Sequence, residues 1–307
     1  MRDIGLSPTR CAICGTENHA DVLYPANFHA DDFSPAVFSA RRSPDRVHYR
    51  MVKCLRCGLV RSDPVADADV ISALYARSGF HYEAEVRNLT TTYGRYLSKL
   101  EYLGGRKEAL LEIGCGNGFL LEEASRRGYT VVRGVEPSAD AVAQAPPSVR
   151  AGIVVDFMRP GLFEEETFDA ICLFQVLDHL PDPASVLGEC LRLLRPGGLV
   201  LCLNHDVGAL SARLLRACSP IVDIEHTYLF SRRTIAQLFE RQGYRVLACS
   251  GVRNTYSLRY LSHLLPMPNR VKAGLEGALT GRLGTRRLAV RLGNLYVIAQ
   301  RPVEVRP

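Results

Sequence analysis

The stretch Ala109-Leu-Leu-Glu112-Ile-Gly114-Cys-Gly116-Asn-Gly118 decides the fold of this chain. Its first part, ALLEI, is a short apolar run typical of a buried strand, and the following FLLEEASRRG has the apolar spacing of a helix. Glycines at such a turn let the backbone approach a ligand closely, because no Cβ stands in the way. The spacing is G-x-G-x-G, whereas dinucleotide sites use G-x-G-x-x-G, so we expect no diphosphate here.

Predicted strands and helices alternate after this stretch. TVVRGVEP, FDAICLFQV, LVLCLN, YRVLACS and NLYVIAQ are typical of strands, with a weaker strand near residues 150–155. SADAVAQA, PASVLGECLRLL and SRRTIAQLFERQG are typical of helices, the last with Ser231 as N-cap and Gly243 as its stop. Such alternation predicts an α/β fold, a mostly parallel Rossmann-like sheet with helices on both faces.

Two C-x-x-C-G motifs lie near the N-terminus, at Cys11/Cys14 and Cys54/Cys57. Two intervening residues let both thiolates reach one ion at about 2.3 Å, and the glycine lets the backbone turn behind them. Four thiolates leave no open coordination position, so we predict a structural zinc ion, with a redox pair as the alternative. The six remaining cysteines stand singly, mostly among apolar residues, and are predicted to be core side chains.

Length and composition indicate one large domain and a smaller one. We predict a zinc-binding domain at 1–66, a helical linker or lid at 67–104, and a ligand-binding domain at 105–307. The N-terminal MRDIGLSPTR lacks the apolar core of a signal peptide, and no apolar run is long enough to span a bilayer. The sequence therefore predicts a soluble, cytoplasmic protein.

The net charge of +6 is unevenly distributed, because residues 241–307 carry twelve Lys and Arg against two acids. This basic third could bind a phosphate, a nucleic acid or a membrane surface, or could consist of solvated arginines, and the sequence leaves its role open.

The glycine segment and the motifs after it resemble the class I S-adenosylmethionine-dependent methyltransferases. Glu136 ends the second strand, Phe168-Asp169 opens the fourth, Leu177-Asp178-His179-Leu180 follows it, and Leu194-Arg-Pro-Gly-Gly198 precedes the fifth. The resemblance implies S-adenosylmethionine as cofactor and a sheet whose last strand is antiparallel. By family position, Glu136 holds the ribose and Gln175 lies beside the methyl donor. The predicted cofactor-binding residues are Glu112, Gly114, Gly116, Gly118, Glu136 and Gln175.

The segment Glu225-His226-Thr-Tyr-Leu-Phe-Ser231, taken with the cysteine pairs, resembles the deoxysugar C-methyltransferases of antibiotic biosynthesis. The resemblance implies that Glu225 and His226 serve as general base, and that His179 and Tyr82 line the acceptor site. The chemistry is consistent with this, since an acceptor must lose a proton and a histidine titrates near neutral pH.

The chain departs from that family in two respects. Asp223 stands where the family tends to have an aromatic residue, and 307 residues leave no room for the family's further C-terminal domain. We therefore predict a small-molecule acceptor, a sugar or a natural-product intermediate, with C-, O- or N-methylation left open. The alternatives are an RNA methyltransferase whose zinc module grips RNA, although residues 1–60 are not strongly basic, and a non-catalytic cofactor-binding subunit. The oligomeric state is open.

Overall fold

The computed structural model describes residues 5–29, 32–34, 37–38, 47–77, 83–264, 274–275, 277–279, 281 and 283–303. The strands β1 to β15 are, in chain order, Leu6–Ser7, Ala20–Tyr24, Met51–Cys54, Val60–Ser62, Val65–Ala66, Ala109–Ile113, Val131–Val135, Ile153–Val154, Phe168–Phe174, Leu194–His205, Tyr228–Leu229, Arg245–Gly251, Asn254–Ser257, Arg287–Val290 and Asn294–Gln300. The helices α1 to α9 are Ala68–Ala76, Glu83–Tyr102, Phe119–Arg126, Ala139–Ala143, Pro147–Arg150, Pro183–Leu193, Leu210–Leu215, Arg232–Arg241 and Leu258–Leu264.

The central sheet has seven strands in the order β12-β15-β10-β9-β6-β7-β8. Strands β10, β9, β6, β7 and β8 pair in parallel, whereas β15 runs antiparallel to both β10 and β12. The prediction of a Rossmann-like, mostly parallel sheet with an antiparallel last strand is confirmed.

The sheet is buried on both faces, because helices cover each side of it. Alternate residues of one strand therefore enter different cores: Ile171 and Leu173 of β9 pack in one cluster, Ala170 and Cys172 in the other. The lone cysteines follow this pattern only in part. Four of them are buried, Cys249 is partly exposed, and Cys218 is exposed, so the core prediction is wrong for Cys218.

Helix α8 begins as predicted, because Ser231 and Thr234 form a capping box that satisfies the first amides of the helix. The helix stops before Gly243, which adopts a left-handed φ of 89°. Such local signals were sufficient to locate this element.

The N-terminal region forms a second sheet of order β11-β4-β3-β2. Its edge strand β11 comes from residues 228–229, which follow the Glu225-His226 pair after one residue, Thr227. The Ser62 hydroxyl on β4 also donates to the main-chain oxygen of His226, at 2.8 Å. This sheet therefore positions the segment that carries His226.

An antiparallel pair of strands, β13 and β14, lies beside helix α2, in a part of the chain where the sequence predicted no strand. The Thr255 amide donates to the Thr92 hydroxyl at 2.9 Å, and the Arg253 amide donates to the Tyr96 hydroxyl at 2.8 Å. These hydrogen bonds hold the strand pair against the helix. Among the described residues, we find no helix that is both long and apolar enough to cross a membrane.

Candidate active site

One continuous cavity of about 890 Å³ opens at the carboxyl ends of the parallel strands. Ligands of open α/β sheets bind at this edge, where the strand order reverses, here between β6 and β9. The glycine segment lines one end of the cavity, and a group of histidines lines the other. The volume lies toward the upper end of the range for small-molecule sites, about 300–1,000 Å³. It leaves room for a cofactor and an acceptor side by side.

The glycine segment takes a backbone shape that side chains disfavour. Gly114, Gly116 and Gly118 have φ values of 70°, 54° and 72°. A Cβ on Gly114 would lie 2.4 Å from Cγ2 of Val176, so no larger residue fits there without displacing the β9 loop. The glycine segment lines the cavity, and helix α3 begins directly after it.

Two acidic side chains flank the glycine segment. Glu136 accepts hydrogen bonds from the amides of Gly116 and Ser138, each at 2.9 Å. Glu112 is 2% exposed, and its Oε2 has no hydrogen-bond partner in the described structure. Burial raises the pKa of both carboxyls, and the charge of Glu136 raises that of Glu112 further. An acceptor oxygen facing the cavity is suited to the ammonium or hydroxyl donors of a nucleoside cofactor.

Gln175 stands where β9 ends and the chain turns into the cavity. It has a left-handed φ of 58°, and its amide donates to the main-chain oxygen of Leu203 at 2.8 Å. Its side-chain Oε1 is buried without a hydrogen-bond partner in the described structure. A non-glycine residue in this conformation is uncommon and is found at functional sites.

Asp178, His179, His205 and His226, here called the histidine cluster, meet at the other end of the cavity. The ring centroid of His226 lies 4.7 Å from that of His179 and 4.6 Å from that of His205. Three parts of the chain supply these rings: the loop after β9, the end of β10, and the segment before β11. The amides of Thr227 and Tyr228 bond to the main-chain oxygen of Asp178, which holds the last segment against the first.

Hydrogen bonds fix one side of each ring. His226 Nδ1 lies 2.9 Å from the main-chain oxygen of Ile221, so it carries the proton and leaves Nε2 unprotonated. His205 Nδ1 lies 2.7 Å from Asp178 Oδ2, which favours the same tautomer. His179 Nδ1 lies 2.9 Å from the hydroxyl of Tyr75. His226 and His205 thus each offer an Nε2 lone pair.

Burial governs the charges of the histidine cluster. It lowers the pKa of His226 well below the ordinary value, and neighbouring His205 and His179 lower it further. Burial also lowers the pKa of His179, against the attraction of Asp178. For Asp178 burial opposes ionisation, but the three histidines outweigh it and hold its pKa well below its usual range.

The structure brings some predicted residues together and leaves others apart. His226 and His179 are neighbours, and Glu225 lines the same cavity at the half-buried position before His226. Tyr82 lies outside the described residues, and the linker tyrosine that contacts His179 is Tyr75. Sequence reasoning missed His205 altogether, although its place at the end of a parallel strand was a usable signal.

The four cysteines of the C-x-x-C-G motifs also converge. Cys11 and Cys57 have their sulfurs 3.3 Å apart, and Cys14 and Cys54 have theirs 3.6 Å apart. All four sulfurs lie within 4.8 Å of one another. Gly15 and Gly58 after the motifs have left-handed φ values of 68° and 83°, as the tight turns required. The arrangement is compatible with a tetrahedral metal site.

This sheet order, with a glycine segment after the first parallel strand and an acid after the second, defines a class I S-adenosylmethionine-dependent methyltransferase. The sequence model of the family described as "Methyltransferase domain" matches residues 85–248, just over half of the chain, and the chain belongs to that family.

Curated relatives match about a third of the chain. The ubiquinone biosynthesis O-methyltransferase of Pseudomonas fluorescens is 36% identical over 104 residues, which cover 32% of this chain and 44% of the relative. The protein of the same name from Dinoroseobacter shibae is 34% identical over 131 residues, covering 39% and 50%. The chain thus spans about half the length of the curated relatives it matches.

Solved structures show the same fold. A chain of the complex between the Haloferax volcanii Trm112 methyltransferase activator and a methyltransferase superposes with a TM-score of 0.51. It is 17% identical and covers 71% of this chain and 92% of that one.

Proposed function

We propose that this methyltransferase acts on a small molecule, a sugar or a natural-product intermediate, methylated on carbon, oxygen or nitrogen. The observation that carries the proposal is the single cavity that the glycine segment and the histidine cluster share. A pocket enclosed in this way suits an acceptor of metabolite size. The curated relatives, named for O-methylation in ubiquinone biosynthesis, support the same class of acceptor.

In this proposal the cofactor lies along the glycine segment. The carboxylate of Glu136 accepts the two ribose hydroxyls, and the unpartnered Oε2 of Glu112 accepts the ammonium of the methionine part. By family position Gln175 would lie beside the methyl donor, and its buried Oε1 has no hydrogen-bond partner in the described structure. Gly114, Gly116 and Gly118 let the backbone come into contact with the cofactor. S-adenosylmethionine would supply an activated methyl group there.

Methyl transfer is a displacement, so most of the catalysis is positioning, but the acceptor must also lose a proton. His226 is our candidate proton acceptor, because its Nε2 is unprotonated while Nδ1 bonds to Ile221. His179 lies beside it, and Glu225 adds negative charge at the cavity wall. Tyr82, outside the described residues, stays a prediction for the acceptor site that rests on the family resemblance.

We also propose that the four cysteines hold one structural zinc ion in a domain of residues 1–66, with 67–104 as linker and 105–307 as methyltransferase domain. The convergence of four sulfurs and the two glycine turns support the zinc ion. The likeness to deoxysugar C-methyltransferases remains a prediction about the reaction type.

The test is to incubate the protein with methyl-labelled S-adenosylmethionine and separate panels of phenols, sugar nucleotides, amines and total RNA. We expect label in a small-molecule panel, and none with the His226→Ala variant. Label found in RNA alone would refute the proposal and favour the RNA methyltransferase. Cofactor binding without label in any panel would favour a non-catalytic subunit.

A further inference from the structure

We infer that the histidine cluster binds one divalent transition-metal cation through Asp178, His179 and His226. Each of these residues offers a ligand atom, and the three atoms lie within 4.8 Å of one another. Around an ion with bonds of about 2.1 Å, ligand atoms stand roughly 3.0–3.4 Å apart, so small side-chain movements suffice. Imidazole and carboxylate together suit Mn²⁺, Fe²⁺, Co²⁺ or Zn²⁺.

The first support is a buried carboxylate oxygen without a hydrogen-bond partner in the described structure. Asp178 is fully buried, and its Oδ1 has no hydrogen-bond partner in the described structure, while Oδ2 is held by His205. A buried carboxylate oxygen without a partner is costly, so a positive group is expected near it. A cation bound at Oδ1 would supply that positive group.

The second support is the set of outer partners. His226 Nδ1 bonds to Ile221 at 2.9 Å, and His179 Nδ1 contacts the Tyr75 hydroxyl at 2.9 Å. Metal-binding histidines are usually held in this manner, with one nitrogen on an oxygen and the other on the metal. His179 Nε2 lies 3.7 Å from Asp178 Oδ1, and a hydrogen bond to the main chain of Glu225 raises the pKa of the ring. With Nδ1 donating to Tyr75, a cation at Nε2 would take the place of the proton that this contact favours.

The inference rests on the proposed function, because the site opens into the cavity of the acceptor. Three protein ligands leave coordination positions for an acceptor oxygen, so the acceptor would carry a hydroxyl or an enolisable carbonyl. The cation would stabilise the negative charge left when that group loses its proton. A lone pair of His226 cannot hold a proton and a cation together. In the metal-loaded protein His226 would therefore be a ligand and not the proton acceptor of the proposed function, and the proton of the acceptor would go to the Nε2 lone pair of His205, whose Nδ1 is held by Asp178.

The experiment is a titration of the purified, zinc-containing protein with Mn²⁺, in which the resonance of free Mn²⁺ is followed by electron paramagnetic resonance. Soft thiolates disfavour Mn²⁺, so the cysteine site does not compete for it. We expect one bound equivalent, and a loss of affinity of about tenfold or more in Asp178→Asn and His226→Gln. His29→Gln, which changes an exposed histidine of the N-terminal region, is the matched control and should bind as the unchanged protein does.

Binding of S-adenosylhomocysteine to each variant reports folding, and His179→Gln replaces any variant that fails this check. No bound Mn²⁺, or equal affinity in the protein and its cluster variants, would overturn the inference. Methyl transfer by a protein that binds no cation would leave the proposed function intact. Cation binding without methyl transfer to any acceptor would contradict the proposed function alone.

Discussion

Replacing Glu136 by alanine tests the cofactor site most directly. The carboxylate already accepts two amides at 2.9 Å, and its remaining lone pairs are the proposed acceptors of the ribose hydroxyls. A hydrogen bond to a charged group contributes about 1.5–3 kcal/mol, but water entering the space left by the side chain would recover part of it. We expect a net loss of about 1–3 kcal/mol, which weakens S-adenosylhomocysteine binding about 5- to 150-fold.

Isothermal titration calorimetry measures this loss, and thermal unfolding shows whether the glycine segment survives without its carboxylate. Glu136→Gln keeps one acceptor oxygen and should give an intermediate loss of affinity. Glu164→Ala removes an exposed acid elsewhere and should leave affinity unchanged. If the Glu136→Ala protein is folded and binds S-adenosylhomocysteine with unchanged affinity, Glu136 does not hold the ribose, and the proposed role of the acid after the second parallel strand is refuted.

Four further predictions concern the rest of the molecule. His226→Ala should lower methyl transfer about 10²- to 10⁴-fold with cofactor affinity nearly intact, whereas a joint loss in binding assays would make the residue structural. Burial raises the pKa of Glu112 and Glu136, so cofactor affinity should rise with pH and binding should release protons, which calorimetry in two buffers measures. Glu112→Gln should flatten this pH dependence of affinity. An affinity that falls as pH rises would contradict the prediction. For the same reason, the free energy of unfolding of the cofactor-free protein should fall as pH rises above the ordinary glutamate pKa of about 4.3. Elemental analysis should find about one zinc per chain. The Cys54→Ser variant should lose the zinc and thermal stability, and it should also lose activity because Ser62 of the same sheet contacts His226. Less than about a tenth of an equivalent of zinc in the unchanged protein, with four titratable thiols, would refute the zinc site.

The convergence of Glu112, the glycines and Glu136 at one edge of the sheet was predictable, because each lies next to its own strand. Glu112, the glycines and Glu136 need only a strand, a turn and an acid at short spacing, and parallel strands bring such ends to one edge. The same rule applied to β10 would have found His205. The choice between the linker tyrosines had no such local signal, since helical periodicity does not tell which turn of a helix faces a cavity.

By itself the sequence determined the alternation of strands and helices, the cap of α8, the glycine turn and the pairing of cysteines, because each depends on residues a few positions apart. The tertiary structure decided the pairing of β13 with β14, which lie about thirty residues apart, and the pairing of β11 with β4 of the N-terminal sheet. It also decided the histidine cluster. His179, His205 and His226 come from separate segments. Only the packing of those segments sets the distances between the rings, their burial and their contacts with the carboxylate of Asp178, on which their chemistry depends.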